Sequence, residues 1–179
     1  MTMKILKIGC AIRLARASEL EELQEIERAA GALFAQIGLP EVAESEPLPL
    51  DFLEEQQEAE LVWVAEAEGQ LAGFMVATEL EGTCYLEEIS VHPAHGRQGI
   101  GKSLIEFLCG WARNNGYQAI TLSTFQDVPW NAPYYLRLGF RMLDTEEMSL
   151  ELKELLAEET QAWAPLKRVL MRRELGGKQ

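Results

Sequence analysis

Apolar residues recur at steps of three and four from residue 20 to 37: Leu20, Leu23, Ile26, Ala30, Leu33, Phe34 and Ile37. That spacing is one face of an amphipathic helix, and Gly38 is its stop. In front of it, Ser18-Glu-Leu-Glu21 reads as a capping box: the Ser18 hydroxyl accepts an orphan backbone N–H and Glu21 reaches back. Residues 11–17 (AIRLARA) partly alternate apolar and basic positions, which predicts a short first strand. Three prolines and several glutamates make residues 39–50 a loop, and 51–59 fit a short second helix.

Two strand-like runs follow, LVWVAEA (61–67) and LAGFMVATEL (71–80), around a Glu68-Gly69-Gln70 hairpin turn. YLEEISV (85–91) is a third run. Leu104, Ile105, Leu108, Trp111 and Ala112 mark a helix face that stops at Asn115-Gly116. QAITLSTF (118–125) predicts another strand, and 131–138 a short helix ending at Gly139. The chain closes with strands near 140–144 and 167–174 around an acidic helix at 150–162. The pattern contains no repeat, low-complexity tract or linker. It therefore reads as one domain, 11–175, with short extensions at 1–10 and 176–179.

Composition narrows the function. The 179 residues are 47% hydrophobic and 25% charged, with a net charge of −13. So acidic a chain is poorly suited to nucleic acid or an anionic membrane, and suits solubility or a cationic substrate such as an amine. Cys10, Cys84 and Cys109 are odd in number and lack motif spacing. They predict free thiols in a reducing cytoplasm, with Cys84 and Cys109 as small buried apolar groups. Two histidines argue against a His-rich metal site, and no metal is expected. Lys7 interrupts the N-terminal apolar run, so no signal peptide is expected, nor does any run reach the roughly 18 residues of a membrane span.

Residues 96–103, GRQGIGKS, carry the candidate chemistry. The string fits the G-x-x-x-x-G-K-[ST] phosphate loop of nucleotide hydrolases. It also contains a Q-G-I-G pyrophosphate turn. Both devices use glycines to turn backbone N–H groups inward at a helix N-terminus. Context separates them. A nucleotide hydrolase needs a carboxylate ending a second apolar strand, to hold Mg²⁺. Here Asp127 follows Ser-Thr-Phe-Gln and falls in a loop. Three strands joined by short turns also predict antiparallel pairs, whereas the hydrolase sheet is largely parallel.

LEEISVHPAHGRQGIGKSLIEFL resembles the acetyl-CoA signature of the GCN5-related N-acetyltransferases (GNAT): a strand, V-x-P, [QR]-x-x-G-x-[GA], then a helix. YYLRLGF (134–140) resembles their Y-x-x-x-G-F segment, and DVPWNAP (127–133) a bacterial branch of that family. The resemblance covers about residues 11–175. It implies an α+β, three-layer αβα fold with a mixed, mostly antiparallel sheet of about seven strands that splays in a V. It also implies direct transfer of acetyl from acetyl-CoA to a primary amine. The same fold could alternatively serve as a non-catalytic acyl-CoA sensor.

By the resemblance, Ile89, Ser90 and Val91 pair with the pantetheine arm through their backbone. The N–H groups of Arg97, Gln98, Gly99, Ile100, Gly101 and Lys102 hold the pyrophosphate, with added charge from Arg97 and Lys102. Gly96 departs from the family's Gln or Arg, and Arg97 is the neighbour placed to compensate. Glu87 and Glu88 break the strand's alternation, which a β-bulge would explain; one of them is the expected general base. Tyr135 matches the tyrosine that protonates the departing thiolate. Asn131, four residues before it, is expected either to touch the cofactor or to cap the helix. Trp63, Trp111 and Trp163 are expected in packing, and Trp130 beside the substrate. Glu41, Glu44 and Glu46 suit a cationic acceptor such as a polyamine, an aminoglycoside or a protein N-terminus. Family members often form homodimers.

Overall fold

Strand β3 (Val62–Ala67) buries Val62, Trp63, Val64 and Ala65 in succession. Neighbouring strand residues point to opposite sides, so both faces of β3 must be covered. The computed structural model, which describes residues 4–5 and 10–176, shows how. On one face Val62 and Val64 pack with Phe74 and Val76 against Leu20, Leu23 and Ile26 of α1 (Leu20–Gly31) and Leu53 of α3 (Leu50–Glu58). On the other, Trp63 meets Phe107 of α4 (Ile100–Asn114) edge to face, ring centroids 6.2 Å apart. Helix, sheet and helix form three layers.

The remaining strands are β1 (Lys4–Ile5), β2 (Cys10–Leu14), β4 (Gln70–Leu80), β5 (Thr83–Val91), β6 (Ala119–Phe125), β7 (Arg141–Met142) and β8 (Arg168–Glu174). Their hydrogen-bonded order is β1-β2-β3-β4-β5-β6-β8-β7. The pairs β1–β2, β2–β3, β3–β4, β6–β8 and β7–β8 are antiparallel, and β5–β6 is parallel. This is the mixed, mostly antiparallel open sheet expected from the hairpin signals. The seven expected strands are present, and the two-residue β1 adds to them. The β5–β6 ladder joins Cys84 to Ile120 and Tyr85 to Thr121, at the start of β5.

Met1–Thr78 and Glu87–Leu108 form one compact unit, and Glu79–Leu86 and Cys109–Gln179 a second. In the second, Tyr85, Met148, Leu152 and Leu170 form a core beneath α6 (Leu150–Ala162). Ser149 caps α6, its hydroxyl accepting the Leu152 N–H at 3.1 Å. Arg168 of β8 donates to Glu159 of α6 at 3.2 Å and lies 4.7 Å over the Phe125 ring.

Three local expectations change. The helix predicted over 20–37 is α-helical only to Gly31; Ala32–Ile37 tighten into a 3₁₀ helix before Gly38 turns left-handed at φ +79°. Gly31 is the weak point, since glycine is among the poorest helix formers. The loop at 39–50 contains a one-turn helix, α2 (Pro40–Ala43), started by proline at its first position. The capping box does not form at Ser18 and Glu21. Glu19 closes the turn instead, accepting the Arg16 N–H at 2.8 Å, because the Arg13 guanidinium holds its carboxylate from the other side at 2.7 and 2.9 Å.

Arg13 also donates to Glu66 at 3.0 and 3.1 Å, so one guanidinium joins β2, β3 and the start of α1. The hydrogen bond from Arg13 holds the Glu19 carboxyl below its ordinary pKa, against the opposing effect of burial. A carboxylate depressed in this way stabilises the fold above its unfolded pKa of about 4.3, and the contribution is lost as pH falls. Arg13→Gln should cost about 2 kcal/mol at neutral pH, since the Glu19 charge loses its partner. It should also flatten the acid limb of the stability curve. Urea unfolding at neutral and acidic pH measures both; equal midpoints at neutral pH would contradict the role given to Arg13.

Candidate functional site

Between β3 and β4 the register slips: Ala65 faces Gly73 and Glu66 faces Leu71, leaving Ala72 as an extra, bulged residue. Its carbonyl accepts the N–H of His92, just beyond the end of β5, at 2.9 Å. Next to the bulge, Gly73 lies so close to β5 that a Cβ there would sit 2.7 Å from the Ser90 carbonyl oxygen and 3.2 Å from the Val91 Cα. No other residue fits. Ser90 is buried, while Ile89 and Val91 are half-buried. This register slip lies between β3 and β4, not at the Glu87–Glu88 pair of β5 where a bulge was expected.

After β5 the chain makes a 3₁₀ turn over Pro93–His95, in which Gly96 N–H donates to Pro93 O at 3.0 Å. The Gly96 amide is therefore engaged within the turn. Arg97 has φ +60° and Gly99 φ +77°, both left-handed. Such conformations turn successive N–H groups towards one side. Helix α4 begins at Ile100, and its first turn closes when Ser103 N–H bonds Gly99 O at 3.0 Å. The N–H groups of Ile100, Gly101 and Lys102 precede that bond and point out of the helix end. Arg97, Gln98, Gly99 and Lys102 are exposed. Left-handed residues leading into a helix N-terminus are backbone geometry of the kind that can cradle an anion.

The two candidate carboxylates on β5 differ. Glu87 is exposed and accepts the Thr78 hydroxyl of β4 at 3.0 Å. Glu88 is half-buried and accepts the Ser90 hydroxyl at 2.7 Å. A third carboxylate, Glu27 of α1, was missed in the sequence. Burial first, and the charge of Glu88 second, push Glu27 up to about 8. The signal was its position: seven residues after Leu20 and four after Leu23, it occupies the apolar stripe of α1.

In the second unit, Tyr135 is buried in α5 (Ala132–Arg137), edge to face with Phe140 at 5.6 Å and with Tyr134 at 5.8 Å. Asn131 stands at the N-cap of α5, but its side chain makes no capping bond. Its backbone oxygen accepts the N–H groups of Tyr134 and Tyr135, at 2.9 and 3.0 Å. Its side-chain Oδ1 is buried without a hydrogen-bond partner among the described residues. Buried acceptors rarely stay unsatisfied, so Oδ1 fits a ligand N–H. Trp130 is 37% exposed. Trp63 is buried; Trp111 stacks on Tyr117 and Trp163 meets Phe125 edge-on, as packing residues. All three cysteines are buried and free. Burial, with a smaller effect from Cys109, pushes the Cys84 thiol up to about 12, and burial also raises Cys10. Neither is poised as a thiolate nucleophile.

This sheet, with a glycine turn carrying β5 into α4, is the acyl-CoA N-acyltransferase fold. Residues 20–140 match the Acetyltransferase (GNAT) family, and the chain belongs to that family of acetyltransferases. Solved structures agree on the fold. The ribosomal-protein-S18-alanine N-acetyltransferase of Escherichia coli aligns over 95% of this chain and 96% of its own, at TM-score 0.66 and 18% identity. The PaiA N-acetyltransferase of Thermoplasma acidophilum, solved with coenzyme A, aligns over 92% and 98%, at TM-score 0.65 and 16% identity. A GNAT acetyltransferase of Brucella melitensis, solved with acetyl-CoA, aligns over 75% and 84%, at TM-score 0.55 and 25% identity. No helix among the described residues is long and apolar enough to cross a membrane.

Gly73→Ala should push β5 away at Ser90 and lower stability by about 1–3 kcal/mol, as overpacking does. Thermal unfolding checks this. An unchanged midpoint would mean that β4 and β5 can separate freely at this point.

Proposed function

We propose that the chain transfers an acetyl group from acetyl-CoA directly to a primary amine. The observation that carries this reading is the backbone cradle at Arg97–Lys102, fed by a strand whose ladder to β6 lies only at its start. A magnesium-dependent nucleotide hydrolase is disfavoured by the antiparallel β2–β3 and β3–β4 ladders of the same sheet.

The cradle's N–H groups would hold the pyrophosphate, with Arg97 and Lys102 adding charge from the surface. Backbone groups of Ile89, Ser90 and Val91 are suited to the amides of the pantetheine arm, as a neighbouring strand would be. The orphan Asn131 Oδ1 is an acceptor of the kind such an amide N–H satisfies. Acetyl-CoA, when bound, supplies the acetyl group and leaves as CoA thiol. Glu88, rather than the exposed Glu87 tied to Thr78, takes the proton of the ammonium, directly or through water. The freed nitrogen forms the amide bond as the carbon–sulfur bond breaks. Backbone N–H groups of β5 face the charge that grows on the thioester oxygen. The Tyr135 hydroxyl gives its proton to the sulfur. No covalent enzyme intermediate is needed, in keeping with the high thiol pKa of Cys84. The acceptor is a cationic amine, which the acidic chain and Glu41, Glu44 and Glu46 favour.

Calorimetric titration with acetyl-CoA should show binding, and with Mg·ATP none. Binding of ATP alone would overturn the assignment. Tyr135→Phe and Glu88→Gln should each lower turnover roughly 10²-fold while leaving acetyl-CoA affinity unchanged. Binding of acetyl-CoA with no turnover of any amine would instead indicate a non-catalytic acyl-CoA sensor.

A further inference from the structure

Ser90 is a polar residue in a buried position, 8% exposed. A buried hydroxyl costs free energy unless it is hydrogen-bonded. This one donates to a carboxylate: Ser90 Oγ bonds Glu88 Oε1 at 2.7 Å. Residues 88 and 90 lie on the same face of β5, so strand geometry brings the two side chains together. Ser90 itself has little room to move. Its carbonyl oxygen lies against Gly73, where a Cβ would come within 2.7 Å of it. Two residues on, the His92 N–H is bound to the Ala72 carbonyl at 2.9 Å. A fixed piece of backbone thus aims a hydroxyl at one carboxylate. The other, Glu87, is exposed and is held from the neighbouring strand, by the Thr78 hydroxyl at 3.0 Å.

We propose that Ser90 is a positioning residue of the transfer reaction: its side chain fixes the Glu88 carboxylate in the orientation from which it takes the acceptor's proton. This rests on the acetyltransferase reading above, and adds to it the group that selects Glu88 over Glu87. A glutamate is a long side chain with several rotatable bonds, and ordering it costs entropy. A general base works only when its oxygen meets the proton it abstracts. A hydrogen bond from a fixed strand removes much of that freedom before the substrate arrives. A hydroxyl that donates to a carboxylate also favours the ionised form. In the reaction the proton passes from the ammonium nitrogen to a Glu88 oxygen, directly or through water. The nitrogen lone pair then forms the amide bond, and Ser90 keeps its own proton throughout.

Ser90→Ala removes the hydroxyl and leaves in place the backbone groups assigned to the pantetheine arm. Ser90→Cys keeps the shape with only a weak donor. The acceptor is the best of spermidine, kanamycin and a peptide with a free N-terminal alanine. Both variants should lower kcat roughly tenfold and move the acid limb of the kcat/KM pH profile to higher pH. Acetyl-CoA affinity should equal that of wild type. Thr78→Val, which removes the hydroxyl on Glu87, should leave turnover unchanged. The deciding measurement is a double-mutant cycle. In the Glu88→Gln background, Ser90→Ala should lower the remaining turnover by less than about twofold, because the group it positions is already gone. A merely structural role would lower turnover by the same factor in both backgrounds, and that result overturns the proposal. So does a loss in Thr78→Val with none in Ser90→Ala, which would make Glu87 the base. If no amine turns over, it is the acetyltransferase reading that falls. Carbon NMR of the Glu88 carboxyl, identified as the signal that Glu88→Gln removes, then still reports on the contact. Its titration should move to higher pH in Ser90→Ala, and an unmoved titration would mean that Ser90 does not hold Glu88.

Discussion

The close approach of β4 to β5 at Gly73 sets where the end of β5 and the turn after it lie. A Cβ at residue 73 would lie 2.7 Å from the Ser90 oxygen, so the two backbones meet only because this residue has no side chain. The bulge at Ala72 turns its carbonyl to His92, which fixes where β5 ends. From there Pro93 to Gly96 make one tight turn, and the left-handed residues Arg97 and Gly99 deliver the chain to the first turn of α4. The backbone course of the loop thus follows from a strand–strand distance more than from its own side chains. Gly96 contributes no side chain to the loop. Its amide already serves the turn, and the neighbouring N–H groups supply the cradle.

Electrostatics divide in a comparable way. Arg13 gathers Glu19 and Glu66 into one network that ties two strands to the first helix, a structural use of charge. Burial and the Glu88 charge raise the proton affinity of Glu27, against the opposing effects of the Leu48 N–H and Arg28. The same residue type is held ionised in one place and pushed towards neutrality in another. The cause is the identity of the neighbouring group and the depth of burial.

The places where local pattern and structure disagree have two causes. Ser18 and Glu21 have the spacing of a capping box, yet Glu19 takes that role, because a guanidinium 53 residues from Glu66 in sequence reaches both. The apolar face drawn through Leu33, Phe34 and Ile37 has the period of an α-helix. After Gly31 the chain tightens to a 3₁₀ helix that leaves Ile37 43% exposed. In the first case the Arg13 guanidinium outweighed the local spacing, and in the second the poor helix propensity of Gly31 ended the α-helix.

By itself the sequence determined the element order, the hairpin of β3 and β4, the strand–loop–helix that carries GRQGIGKS, and the second motif around Tyr135. These features are written in local periodicity, glycine placement and turn residues, each acting within a few positions. Only the tertiary structure decided the rest. It separated Glu88, held by Ser90, from Glu87, tied to Thr78. It brought Glu27 under the influence of Glu88, 61 residues away by the numbering of the chain. It left the Asn131 oxygen buried and unmatched at the start of a helix it does not cap. Burial and pairing arise between residues far apart in the chain, and no local pattern encodes them.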